Sequence, residues 1–309
     1  MKLKITISFL IAIFIYGCDS SNRIWKIFEE EDLLKHPKAL RCADCHQDIY
    51  QQWQNSRHSL AYISKDYKKA TNNYSKTKCL NCHIPLELSK GETPQFRNFH
   101  KEDGVNCVSC HFSSETNSMH GPYNVFSPPH PSTKDVDFRK SFICSSCHQE
   151  TYKQWKLTKV KKTCQECHME PIEKKDLIQK FPFKYFHLAK EVYNHQFKTG
   201  KIKSLKLTAK KIDNTLILSI LNNQVPHNFP TADNGKPKVY ILVEVFKNNQ
   251  KVEEDYILIT PKFSLIYGKP KTLEFDFFTQ FDFAKISIYR KLSWQKEKEK
   301  ILEKTFSFK

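Results

Sequence analysis

The sequence predicts an α+β protein in two unlike parts: short helices and long loops over 41–200, and an immunoglobulin-like β-sandwich over 201–309. Three observations predict it. Ten of the 11 cysteines fall between Cys42 and Cys167 in one repeated spacing. A phrase is written twice in that stretch, CHQDIYQQW from Cys45 and CHQETYKQW from Cys147. Beyond residue 200 cysteine disappears, and apolar residues alternate with polar ones, the period of a strand with one buried face.

The chain opens with Lys2 and Lys4, then an apolar run from Ile5 to Tyr16, then Gly17. This pattern predicts a signal peptide over 1–17, because the run is well short of the roughly 20 residues a membrane span needs. The segment FIYGC resembles a bacterial lipobox, with Tyr16 where a small residue is usual. Cys18 is therefore expected to carry lipid and to become the mature N-terminus. Residues 18–40, with EEED at 29–32, read as a lipid-anchored tether.

The ten other cysteines make five copies of Cys-x-x-Cys-His: Cys42 and Cys45 with His46, Cys79 and Cys82 with His83, Cys107 and Cys110 with His111, Cys144 and Cys147 with His148, and Cys164 and Cys167 with His168. This is the attachment signature of c-type haem: two thiols add to the porphyrin edge, and the adjacent His is held under the iron as proximal ligand. Disulfides or zinc would also use paired thiols. A structural zinc takes two such pairs, five is odd, and neither reading explains a His after every pair when only 13 of 309 residues are His. Five haem c groups are expected over 41–200.

Haem also corrects the charge. The formal net charge is +17; losing Lys2 and Lys4 leaves two fewer, and the ten propionates of five haems remove about ten more. The lysine excess thus balances propionates and solvates the surface, and no nucleic-acid partner is expected.

Within the haem region, His46, Tyr50, Trp53 and Arg57 share one helical face, and His148, Tyr152 and Trp155 repeat it. Each copy reads as a motif followed by a helix whose aromatic stripe packs on a haem. In the second part, β-branched and aromatic alternation marks strands at about 203–212, 215–222, 239–247, 253–260, 272–279, 284–292 and 301–308, separated by the turns DN (213–214), KNNQK (247–251) and GKPK (268–271). Seven short strands in about 110 residues point to the sandwich.

Eight histidines remain after the proximal five: His36, His58, His100, His120, His130, His187, His195 and His227. They suffice for bis-histidine ligation of every iron, and Met119 and Met169 offer little alternative.

The segments CADCHQDIYQQWQNSRHSLA (42–61), GVNCVSCH (104–111) with HGP (120–122), and TCQECHM (163–169) with NHQFKTG (194–200) resemble the multihaem cytochrome c family that includes the tetrahaem electron acceptor of hydroxylamine oxidoreductase. More distant similarity extends to that oxidoreductase and to pentahaem nitrite reductase. NNQVPHNFPTAD (222–233) is similar to the N-x-x-G-H-x-F-P-T-G stretch of β domains attached to such cytochromes, with Pro226 and Ala232 at the glycine positions. The resemblance implies distal iron ligands at His58, His120, His195 and His227. His58 lies 12 residues past His46, roughly 18 Å along a continuous helix, so it is expected to serve another haem. His100, then His130, are the remaining choices for a fifth iron, and His36 and His187 read as surface or packing residues.

The leading functional expectation is electron transfer by five haems, mostly bis-histidine, in a protein held to the cell envelope by lipid, on the periplasmic or outer side, exchanging electrons with redox proteins there. The alternative is a multihaem oxidoreductase with one open iron acting on a small nitrogen or sulfur compound, although the Cys-x-x-Cys-Lys motif of nitrite reductases is missing. A third reading makes the β domain a docking module.

Overall fold

A computed structural model describes residues 31–200, 202 and 205–308. The signal segment, Cys18 and the start of the tether lie outside these residues. The first part holds seven short helices: α1 (Ala39–Cys42), α2 (Gln47–Gln54), α3 (Lys65–Ala70), α4 (Leu80–His83), α5 (Cys107–His111), α6 (Gln149–Thr158) and α7 (Cys164–His168). A small sheet of β1 (Phe112–Ser113), β2 (Ser118–Gly121) and β3 (Ser132–Lys134), and a pair of β4 (Pro171–Lys175) with β5 (Lys190–Tyr193), complete it.

The duplicated phrase folds twice in the same way. His46 (φ −106°, ψ 48°) and His148 (φ −102°, ψ 50°) share one backbone conformation, each at the N-cap of the helix that follows. The expected continuation of α2 through Arg57 to His58 does not occur. The helix stops at Gln54, where a serine hydroxyl takes the last carbonyl: Ser59 Oγ donates to Gln54 O and to Ser56 O, both at 2.9 Å. His58 therefore leaves α2 on a turn.

Apolar packing is concentrated at the other end. Strands β6 (Lys206–Ile212), β7 (Thr215–Leu221) and β10 (Pro270–Asp276) form one sheet in the order β10-β7-β6; β8 (Lys238–Lys247), β9 (Gln250–Ile259), β11 (Phe283–Lys291) and β12 (Glu299–Ser307) form the other in the order β12-β11-β8-β9. Every neighbouring pair is antiparallel. The two sheets are the layers of an immunoglobulin-like sandwich, and all seven expected strands are present with ends shifted by up to three residues. Alternation fills the space between the layers. Val239, Ile241, Val243 and Val245 of β8 face inward beside Ala284, Ile286 and Ile288 of β11, against Leu216, Leu218 and Ile220 of β7 and Phe275 of β10. Asn248 and Asn249, both at positive φ, close the β8–β9 hairpin, the backbone a type I′ turn needs.

The haem-motif part is pinned by polar contacts instead. Arg97 is buried, and its guanidinium donates to Pro85 O, Ser109 Oγ, His100 O and Gly104 O. Burial pushes its pKa down to about 10, which leaves it charged at neutral pH.

Candidate functional site

Four of the five motif histidines make the same contact. Nδ1 of His46 meets Leu177 O at 2.6 Å, that of His83 meets Ala61 O at 2.6 Å, that of His111 meets His120 O at 2.7 Å, and that of His168 meets Lys198 O at 3.0 Å. A carbonyl only accepts, so the proton sits on Nδ1 and Nε2 keeps its lone pair. That is the tautomer, with the outer partner, that an imidazole ligand to a metal uses. His148 differs: its Nδ1 lies 3.7 Å from the carboxylate Oδ2 of Asp233.

Three motif imidazoles each face one further imidazole. Ring centres are 6.3 Å apart for His148 and His58, 6.2 Å for His111 and His195, and 6.5 Å for His168 and His227. With a metal–imidazole bond of about 2.0 Å and ~1.1 Å from nitrogen to ring centre, each pair would be spaced to hold one iron between its rings. The partner rings are fixed as well: His195 Nδ1 donates to Tyr193 O at 2.7 Å and His227 Nδ1 to Asn228 O at 2.8 Å, while His58 Nδ1 is buried without a partner. Burial pushes the His58 pKa down to about 3 and that of His195 to about 4. Both rings are neutral at ordinary pH, as ligation requires.

Two expected distal residues stand elsewhere. Both ring nitrogens of His120 are engaged, Nε2 with Thr116 Oγ1 at 2.7 Å and Nδ1 with Asp135 Oδ2 at 3.2 Å, and its contribution to the site is the carbonyl that holds His111. His100 packs edge-on against Phe99, with its backbone at φ 45°. Among the described residues neither His46 nor His83 forms a ring pair of the kind above. His46 has His187 as a neighbour, and His130 lies near both His46 and His111, pushed down to about 4 first by burial and then by those two rings. The sequence signal for His130 was its setting between Pro129 and Pro131 in PPHPS. His83 is stacked on Tyr67 at 4.0 Å between ring centres. His36 packs against Phe112 and Phe99.

Eight thiols sit in one-turn helical segments, Cys45 and Cys147 in the turns that follow such segments, and all ten are free of disulfides. Thiols of different motifs interact: Cys42 with Cys107, Cys82 with Cys147, and Cys144 with Cys164. The motifs are thus neighbours in the order first–third and second–fourth–fifth. Tryptophans of the repeated phrase reinforce two of these pairings. Trp53 Nε1 donates to Val105 O at 2.8 Å and Trp155 Nε1 to Lys162 O at 3.0 Å. Each carbonyl stands two residues before a motif, that of Cys107 and that of Cys164. Asn106 and Thr163 then cap the motif helices α5 and α7. Ten paired thiols and five imidazoles, four of them with Nδ1 engaged and Nε2 free, fit the donor set of covalently attached haem.

The β-sandwich joins this site through the loop 222–233. Asn222 Nδ2 donates to Val225 O and His227 O, both at 3.0 Å, and Phe229 and Leu265 exchange two backbone hydrogen bonds, so His227 is presented on a braced loop. Asn228 N and Thr231 Oγ1 both donate to Gln154 Oε1 on α6, and Glu150 N donates to Asp233 Oδ1. Thr231 thereby holds α6. Arg57 lies over Trp294 at 4.8 Å.

Residues 41–112 match the family described as cytochrome c554 and c-prime. Among solved structures the chain is similar to a penta-heme cytochrome c552 from Thermochromatium tepidum, at 15% identity and a TM-score of 0.61, over 89% of this chain and 100% of that one. At that identity the likeness is one of fold. A protein from Archaeoglobus fulgidus aligns at 12% identity and a TM-score of 0.17, over 34% of this chain and 96% of that one, too weak a likeness to bear on the fold. No curated protein matches.

Proposed function

We propose, from the premise that the chain is a multihaem c-type cytochrome, that it binds five haems and carries electrons between redox proteins of the cell envelope while tethered by lipid at Cys18. Haem iron supplies one-electron oxidation and reduction; the chain supplies ligands, spacing and burial. The observation that carries the reading is the set of three imidazole pairs at 6.2–6.5 Å, since closing an iron on both faces leaves no position for substrate. His58, His195 and His227 take the distal roles in these pairs. Contacts between motifs bring the sites close enough to act in series.

Two measurements test it. Alkaline pyridine spectra with intact mass should count five haems in protein matured by a competent attachment system; four or fewer would refute that number. Cys18→Ser should release the protein from membranes or block its processing, and unchanged retention after normal cleavage would remove the lipid. Among the described residues no helix is long and apolar enough to cross a membrane.

One observation favours the second reading, an oxidoreductase with an open iron. His83 faces Tyr67 and no second imidazole among the described residues. Cyanide or carbon monoxide titration of the reduced and oxidised protein decides: one responsive haem out of five supports an open site at Cys79–His83, and none supports pure electron transfer.

A further inference from the structure

Five motif histidines have five outer partners, and one partner differs in kind. His46, His83, His111 and His168 donate Nδ1–H to neutral backbone carbonyls. His148 faces a carboxylate, and that carboxylate belongs to the β-sandwich loop. Asp233 Oδ2 lies 3.7 Å from His148 Nδ1, with the Asp233 side chain mostly shielded from solvent. The carboxylate is not there by chance rotation. Its Oδ1 accepts from Glu150 N at 2.7 Å, and its Oδ2 accepts from Thr151 Oγ1 at 3.1 Å, both in the first turn of α6. The loop is fixed beside it by Thr231, which contacts both Thr151 Oγ1 and Gln154.

At 3.7 Å the carboxylate acts on the ring by its charge and not through a formed hydrogen bond. A negative charge on the Nδ1 side makes Nε2 a better donor and would favour the higher oxidation state of an iron held there; such outer partners commonly matter by about tenfold or more. Axial-ligand hydrogen bonding and nearby charge are among the levers a protein has on haem potential. The opposite ring of the pair, His58, has an unpartnered Nδ1, so the adjustment enters from one side only.

We propose that Asp233 is a tuning residue through which the β-sandwich lowers the reduction potential of the haem attached at Cys144 and Cys147. The proposal rests on the reading that His148 closes that iron.

The test uses the full holoprotein and spectroelectrochemical titration. Asp233→Asn keeps the size and an acceptor for Glu150 N–H but removes the charge. One midpoint potential should rise by about the equivalent of a tenfold shift, ~59 mV for one electron, and the low-spin EPR signal of the same haem should move while the others stay. Thr151→Val removes the hydroxyl that competes for Oδ2, so the same potential should fall. A cap with no electronic role would lower the melting temperature of Asp233→Asn without moving a potential, and that result overturns the proposal. If Asp233→Asn does not mature, Thr151→Val decides alone: a lowered potential supports the role, and an unmoved one overturns it. His148→Ala separates the underlying reading. Should it leave haem content and spin state as in the parent, His148 closes no iron, and the failure lies there and not with Asp233.

Discussion

Gly104 shows what a single residue does for this site. It sits at φ 59°, and a Cβ there would press into the carbonyls of His58 and Ser59. The next residue, Val105, donates its N–H to His58 O at 2.9 Å. The left-handed backbone and the missing side chain let the chain pass directly over the segment that presents His58. Gly104→Ala should shift His58 away from His148 and convert one low-spin haem to high-spin; a wholly low-spin spectrum would show that the segment can give way. His227→Ala should have the same spectral effect at a different haem and create a site for an added ligand, with the other haems unaffected. The five motif histidines were legible in the sequence because covalent chemistry fixes their spacing. The distal candidates rested on resemblance alone, because any free His can serve and the tertiary fold decides. His120, expected as a distal ligand, has Thr116 and Asp135 at its nitrogens, and neither is adjacent to it in sequence.

The repeated phrase is where an element explains itself. Both copies start a helix from a motif histidine, and both end by holding the carbonyl two residues ahead of another motif. The aromatic stripe was expected to pack on a haem, but the structure gives its Trp a polar task that periodicity cannot reveal. The two bonds are not equal. Trp53 is buried and Trp155 is not, so Trp53→Phe leaves Val105 O unpaired in a protected place, while Lys162 O can turn to water. Trp53→Phe should cost about 1–3 kcal/mol and Trp155→Phe less than about 1, read as melting shifts of the holoprotein. Equal shifts would mean that ring packing, not the hydrogen bond, sets the cost. The sandwich strands were readable to within a few residues, since alternation with one dry face is strong evidence for a strand. The end of α2 was not, because it depends on the Ser59 hydroxyl overriding an otherwise helical stripe.

At the scale of the whole molecule, the packed apolar cluster runs from Leu205 to Ile288. Ile241, fully buried on β8, is far from the motif thiols in sequence and in role. Ile241→Ala should cost about 2–5 kcal/mol in the melting of the sandwich, detected by circular dichroism, with the haem spectrum unchanged below that transition. Leu157→Ala, at a position 82% exposed, should cost almost nothing. If the haem bands change together with the Ile241→Ala melt, the two parts unfold as one. The separation of apolar packing from cysteine motifs also fixes an order of events in biogenesis. The sandwich can collapse as soon as its strands are available, with no help from a prosthetic group. The stretch from Cys42 to Cys167 lies outside that cluster: its buried apolar residues, such as Trp53, Ile84 and Val108, are scattered, and partners such as Cys42 and Cys107 are distant along the chain. Under the proposed haem attachment, ligation there comes first and folding second, so a chain that meets the haem ligation machinery late would carry a finished C-terminal half beside an N-terminal half still open to proteases.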